Sequence, residues 1–158
     1  MAVPFDYDRG EGVEFEPFPA FLSAEETTDW FRAWTGNGEL NGDDFRVIGR
    51  DRSGGYAALW LTHPNRPLVD QPVVFLGSEG EAGVVARDVA DFLWLLAGGF
   101  GPLEATSHEP DWTPRPNEEL TALAERFAPD RRQSAAAVIE HATREIPDFN
   151  ETMGDLCR

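Results

Sequence analysis

The chain has 158 residues, 41% hydrophobic and 27% charged, with 29 acids against 13 basic residues and a net charge of −16. That length and balance fit one globular domain able to bury its own core, while the charge disfavours nucleic acid and anionic membranes, whose phosphates it would repel. No apolar run approaches the roughly 20 residues of a bilayer span, the start lacks a basic-then-apolar leader, and the single Cys157 excludes an internal disulfide, so a cytoplasmic location is expected.

The charge is uneven, and every basic residue is Arg. Residues 1–44 carry 11 acids and 2 Arg, residues 45–103 carry 6 and 5, and residues 104–158 carry 12 and 6. A nearly neutral middle is flanked by strongly negative ends. Such flanks favour a basic protein partner, met fastest at low salt. They also serve solubility.

In chain order, residues 1–20 alternate acids with aromatics and Pro. Val13-Glu14-Phe15-Glu16 alternates like a short edge strand, ended by Pro17 and Pro19. Ser23-Ala24-Glu25-Glu26 is a capping box, because the hydroxyl and the Glu can satisfy each other's orphan amides. A helix then runs to about Thr35, with Ala24, Thr27, Trp30, Phe31 and Trp34 on one face. Gly36-Asn37-Gly38 stops it.

Residues 45–49 and 56–61 read as the strands of a hairpin around the turn Arg50-Asp51-Arg52-Ser53-Gly54-Gly55. A loop follows through His63-Pro64-Asn65-Arg66-Pro67. Val73-Val74-Phe75-Leu76 is continuously apolar, as a strand covered on both faces requires. Gly77-Ser78-Glu79-Gly80-Glu81 turns the chain and residues 83–86 return it, giving a second hairpin. Asp88 caps a helix over residues 89–97, closed by Gly98-Gly99. A helix, two hairpins and a helix, with no repeated βαβ unit, predict an α+β domain with a small antiparallel sheet.

Residues 101–116 hold Pro102, Pro110, Pro114 and Pro116 and read as a crossing segment in which Trp112 either anchors the chain or meets a partner. Residues 117–146 read as a helical pair. Leu120, Leu123 and Phe127 mark the first helix, and Ala135, Val138, Ile139, Ala142 and Ile146 the second, which Asp130-Arg131-Arg132-Gln133 would cap. Residues 147–158 are expected to be a loose tail. The whole chain then forms one domain with its core in residues 21–100.

The motifs of common chemistry fail on inspection. The 77–83 loop lacks the phosphate-loop spacing, has no Lys and carries two acids. No Ser sits in a Gly-x-Ser-x-Gly elbow. His63, His108 and His141 fall on different elements without ligand spacing, and Cys157 has no local activating partner. Paired acids such as Glu25/Glu26, Asp43/Asp44, Glu79/Glu81 and Glu118/Glu119 lie in turns or first helical turns, where solvation and the helix dipole account for them. Neither a catalytic residue nor a metal or cofactor is therefore expected.

The middle of the chain resembles the SUKH superfamily of cell-wall synthesis regulators and bacterial toxin-immunity proteins. The resemblance rests on Gly49-Arg50-Asp51-Arg52-Ser53-Gly54-Gly55, on Pro72-Val73-Val74-Phe75-Leu76, and on Val84-Val85-Ala86 leading to Asp91-Phe92-Leu93-Trp94-Leu95-Leu96. It covers about residues 45–97 firmly and the helix with Trp30 and Trp34 more loosely. It implies a non-enzymatic binding domain, most simply an immunity-type inhibitor that contacts a basic toxin of nuclease or deaminase class. A regulatory or scaffold module of the same fold is the alternative, and an enzyme of unrecognised type a third reading. The contact surface is expected to include the two acidic turns, with Asp51 and Arg52 in one and Glu79 and Glu81 in the other, together with Trp112. Both turns close hairpins of one small sheet, which should set them side by side.

Overall fold

The structure, a computed structural model, describes residues 14–107 and 114–158. They form six α-helices and a five-stranded antiparallel sheet, 44% helix and 16% strand, the expected α+β class. The first helix, α1 (Ala24–Thr35), carries its capping box in full: Ser23 Oγ accepts from the Glu26 amide at 3.1 Å, and Glu26 Oε2 accepts from the Ser23 amide at 3.1 Å.

The sheet is a meander in the order β1 (Glu16–Pro17), β2 (Phe45–Arg50), β3 (Tyr56–Trp60), β4 (Val73–Leu76) and β5 (Ala82–Ala86). The edge strand forms later than the alternation predicts. Glu16 and Pro17 pair with Arg50 and Gly49, while Val13 lies outside the described residues. Pro17 does not end the strand but belongs to it, because a proline without an N–H costs nothing on an outer edge. The register shifts at Ile48 and Val85, and in β5 the irregularity puts the consecutive Val85 and Ala86 on one face while Val84 joins the other.

Side chains alternate along the central strands, and both faces are covered. Ala57, Leu59, Val73 and Phe75 point to one face; Ala58, Val74 and Leu76 point to the other. This is why β4 reads as an unbroken apolar run. The first face is covered by α2 (Val89–Ala97), α3 (Pro102–Thr106) and α4 (Glu118–Phe127). The second is covered by α1 and by α6 (Phe149–Leu156). Between them α5 (Ala135–Glu145) packs along β5, giving Val138 to one core and Ala142 to the other.

The C-terminal third corrects the sequence reading in three places. The crossing segment contains α3, begun by Pro102 at the position where its missing N–H is harmless. The second helix of the pair is capped by Ser134, which accepts from the Ala137 amide at 3.1 Å, and not by Asp130; residues 129–131 form a short 3-10 turn. The expected loose tail is the helix α6, with Phe149 and Met153 fully buried. Its end is tied to the end of α1: Asn37 Nδ2 donates to the Leu156 carbonyl at 3.1 Å, and the Arg158 amide donates to the Thr35 carbonyl at 2.9 Å.

Candidate functional site

The acidic turns lie side by side. Strands β2 and β4 run the same way, so the β2–β3 and β4–β5 turns share one end of the sheet. A Cβ on Gly55 would stand 2.9 Å from Gly77 Cα and 2.5 Å from the Phe75 ring, so only glycine fits where the turns meet. Trp34 adds to the junction by donating its indole N–H to the Gly77 carbonyl at 2.8 Å.

The four turn residues divide into two roles. Asp51 is 3% exposed. Its carboxylate accepts from the Gly55 amide at 2.6 Å and from Ser53 Oγ at 2.7 Å, so it organises its own turn. Glu81 folds back in the same way, accepting from the Glu79 amide at 3.2 Å. Arg52 and Glu79 are exposed. Trp112 and His108 lie outside the described residues.

Behind α2 sits a buried ionic cluster that the sequence did not announce. Asp91 is fully buried; it accepts from Arg87 Nε, Arg131 Nη2 and Gln133 Nε2, each at 2.7 Å. Arg131 also donates to Asp88 at 2.8 Å, and Gln133 Oε1 stands 3.0 Å from His141 Nδ1. Burial alone would lower the pKa of Arg131, but its hydrogen bond to Asp88 and the charges of Asp91 and Asp88 outweigh it and raise the value. The bonds of Arg131 and Gln133 to Asp88 and Asp91 join α2 and its cap to the segment before α5. The arrangement fastens two elements, and no oxygen of Asp91 is left facing solvent.

A second carboxylate is less well served. Glu104 on α3 has Oε2 buried without a hydrogen-bond partner. Burial first, then the charges of Glu14 and Asp51, raise its carboxyl above the ordinary range. Among the described residues no group of three or more His, Cys, Asp or Glu is placed to hold a metal ion.

The most distinctive concave feature is an apolar groove of about 440 Å³ beside α2. Its floor is the helical stripe Val89, Phe92, Leu93 and Leu96, spaced i, i+3, i+4, i+7, with Ile48 and Leu59 from the sheet. Leu120 and Leu123 of α4 form part of the wall, and Phe15, Pro17 and Phe21 another part. Phe15 meets Phe92 edge to face at 5.3 Å. The remaining wall is Leu68 and Val69, on the 3-10 turn Leu68–Asp70. Phe21, Leu68 and Val69 are 46%, 41% and 59% exposed, so the groove lies open along this side. The only sequence signal for Leu68 and Val69 is an apolar pair between Pro67 and Asp70 in an otherwise polar loop.

No helix among the described residues is long and apolar enough to cross a membrane. Set against protein-family models, curated proteins and solved structures, the chain matches none.

Proposed function

We propose that this chain is a non-enzymatic protein-binding domain of SUKH type, an immunity-type inhibitor that blocks a basic toxin of nuclease or deaminase class by direct contact in the cytoplasm. The observation that carries the proposal is the surplus of 29 acids over 13 Arg, concentrated on either side of a neutral middle. A protein that handles nucleic acid presents a basic cleft to phosphate, and an acidic domain can fill that cleft in its place.

The test is co-expression with the products of neighbouring genes in a susceptible host. Growth arrest by a neighbour, relieved by this chain through a complex that weakens as salt rises, is the expected result. Arrest that the chain does not relieve, or relief without a complex, overturns the inhibitor reading. A stable complex with a non-toxic neighbour favours the regulatory module instead.

A further inference from the structure

We propose that a small pocket between α6 and the loop from α1 to β2 is a socket for one cationic side chain, an arginine or lysine presented by the partner protein. This rests on the reading of the chain as a binder of basic proteins and places one point of that contact.

The pocket has a volume of about 320 Å³. That is the lower end of ligand pockets, at ~300–1,000 Å³, and suits a single long side chain. Its inner lining is apolar and largely aromatic: Phe31, Phe45 and Met153 are buried and Trp60 is half-buried. The ring centres of Phe31 and Phe45 are 4.8 Å apart, and those of Trp60 and Phe149 5.0 Å apart, so core contacts fix these walls. The loop is fixed as well. The buried Asn37 side chain accepts from the Glu39 amide at 3.1 Å and donates to the Leu156 carbonyl at 3.1 Å, which ties the loop to α6.

The charges of the lining select the occupant. Among the described residues, Glu39 and Asp44 are the only charged ones that line the pocket, and both are exposed acids. Asp44 makes no ion pair among the described residues. Glu39 meets Arg158 at 3.9 Å, longer than a hydrogen bond, and both side chains stand largely in water. Arg32 and Arg46 touch the same loop, but they donate to the backbone carbonyls of Leu40, Asp43 and Phe45 and bond neither carboxylate. An acidic occupant would be repelled, and a neutral apolar one would strip water from two carboxylates without replacing it. An arginine or lysine lays its aliphatic stem on the apolar lining and sets its charge beside aromatic rings and carboxylates, both of which attract a cation.

The test titrates the isotope-labelled full-length chain at low salt with capped Gly-X-Gly peptides in which X is Arg, Lys, citrulline or norleucine. The Arg and Lys peptides are expected to shift the signals of the Trp60 indole, Thr152 and Leu156. Citrulline has the shape of Arg without its charge and is expected to bind about tenfold more weakly. Asp44→Asn and Glu39→Gln are each expected to weaken the Arg peptide about threefold, and Glu79→Gln to leave it nearly unchanged. All three side chains are exposed, so the fold should tolerate the changes, and circular dichroism checks this. Equal binding of the citrulline or norleucine peptide overturns the charge assignment. Shifts at the Glu79 turn with none at the pocket, or no binding of either cationic peptide, overturn the socket; the inhibitor reading is judged separately, by relief of growth arrest. A basic partner obtained by co-expression that binds the Asp44→Asn/Glu39→Gln chain as tightly as the parent removes the pocket from the contact and leaves the inhibitor reading standing. A partner that loses affinity for that chain in step with the Arg peptide supports both.

Discussion

The Asp91 carboxylate on α2 and the Arg131 guanidinium before α5 are 2.7 Å apart across 40 residues of sequence, and Asp91 is wholly buried. A buried charge of this kind is costly unless each of its oxygens is satisfied. Here Arg87, Arg131 and Gln133 satisfy them, so the cluster fixes how the C-terminal helices dock on α2. Asp91→Ala leaves Arg131 half-buried with Asp88 as its remaining partner. The expected cost is about 3–5 kcal/mol, read as a lower urea midpoint. A loss below about 1 kcal/mol would show that the cluster is solvated and contributes little.

Glu104 predicts a pH dependence of the opposite sense to an ordinary ion pair. Burial raises its carboxyl in the folded chain. At a pH below the ordinary carboxyl value both folded and unfolded states are protonated, and the penalty is absent. As the pH rises past that value the unfolded state ionises first, so the folded state holds the extra proton and stability falls. Glu104→Gln removes the charge, and at neutral pH it should stabilise the chain. The gain should vanish near about pH 4. Thermal denaturation of both proteins across pH checks it; a gain that does not change with pH would show that the charge is not its source.

The C-terminal helix is predicted to be part of the core. Phe149 is 1% exposed and meets Trp60 at 5.0 Å. Phe149→Ala should cost about 3–5 kcal/mol. Phe127, at 65% exposed, is the matching control, and Phe127→Ala should change stability by no more than about 0.5 kcal/mol. Equal effects of the two changes in chemical denaturation would contradict the docking of α6.

The two acidic turns should separate structure from binding. Asp51→Ala leaves the Gly55 amide without its side-chain acceptor and should cost about 1–3 kcal/mol. Glu79→Arg should leave stability within about 0.5 kcal/mol. If partner contact lies at this end of the sheet, Glu79→Arg should lower both affinity for a basic partner and its salt dependence. Binding curves at two ionic strengths read this directly, and unchanged curves place the contact elsewhere.

Much of the fold was legible because local rules and tertiary packing agreed. The Ser23–Glu26 capping box, the Asp88 cap, the glycine turns and the apolar run of β4 each name their own structure. The α6 helix was not legible, since its Phe149, Met153 and Leu156 are few and Gly154 weakens the pattern. An isolated helix of 8 residues is marginal in water, and only burial against β3 and α1 makes it form.

The candidate site was less legible than the fold. The sequence shows Asp51 and Glu81 as acids in turns, and it cannot show that their carboxylates point inward to their own backbone amides. The groove draws on α2, α4, the sheet and the turn at Leu68–Asp70, which lie far apart along the chain.

By itself the sequence determined the class of fold, the order of hairpins and helices, and a charge that favours basic partners. Those properties follow from periodicity, capping and composition, which act over a few residues or sum over all of them. Only the tertiary structure decided that Asp91 and Arg131 meet, that the chain end closes the second core, and that Leu68 and Val69 complete an apolar groove. Each of these is a contact between distant segments, and no local pattern encodes which buried surfaces will face one another.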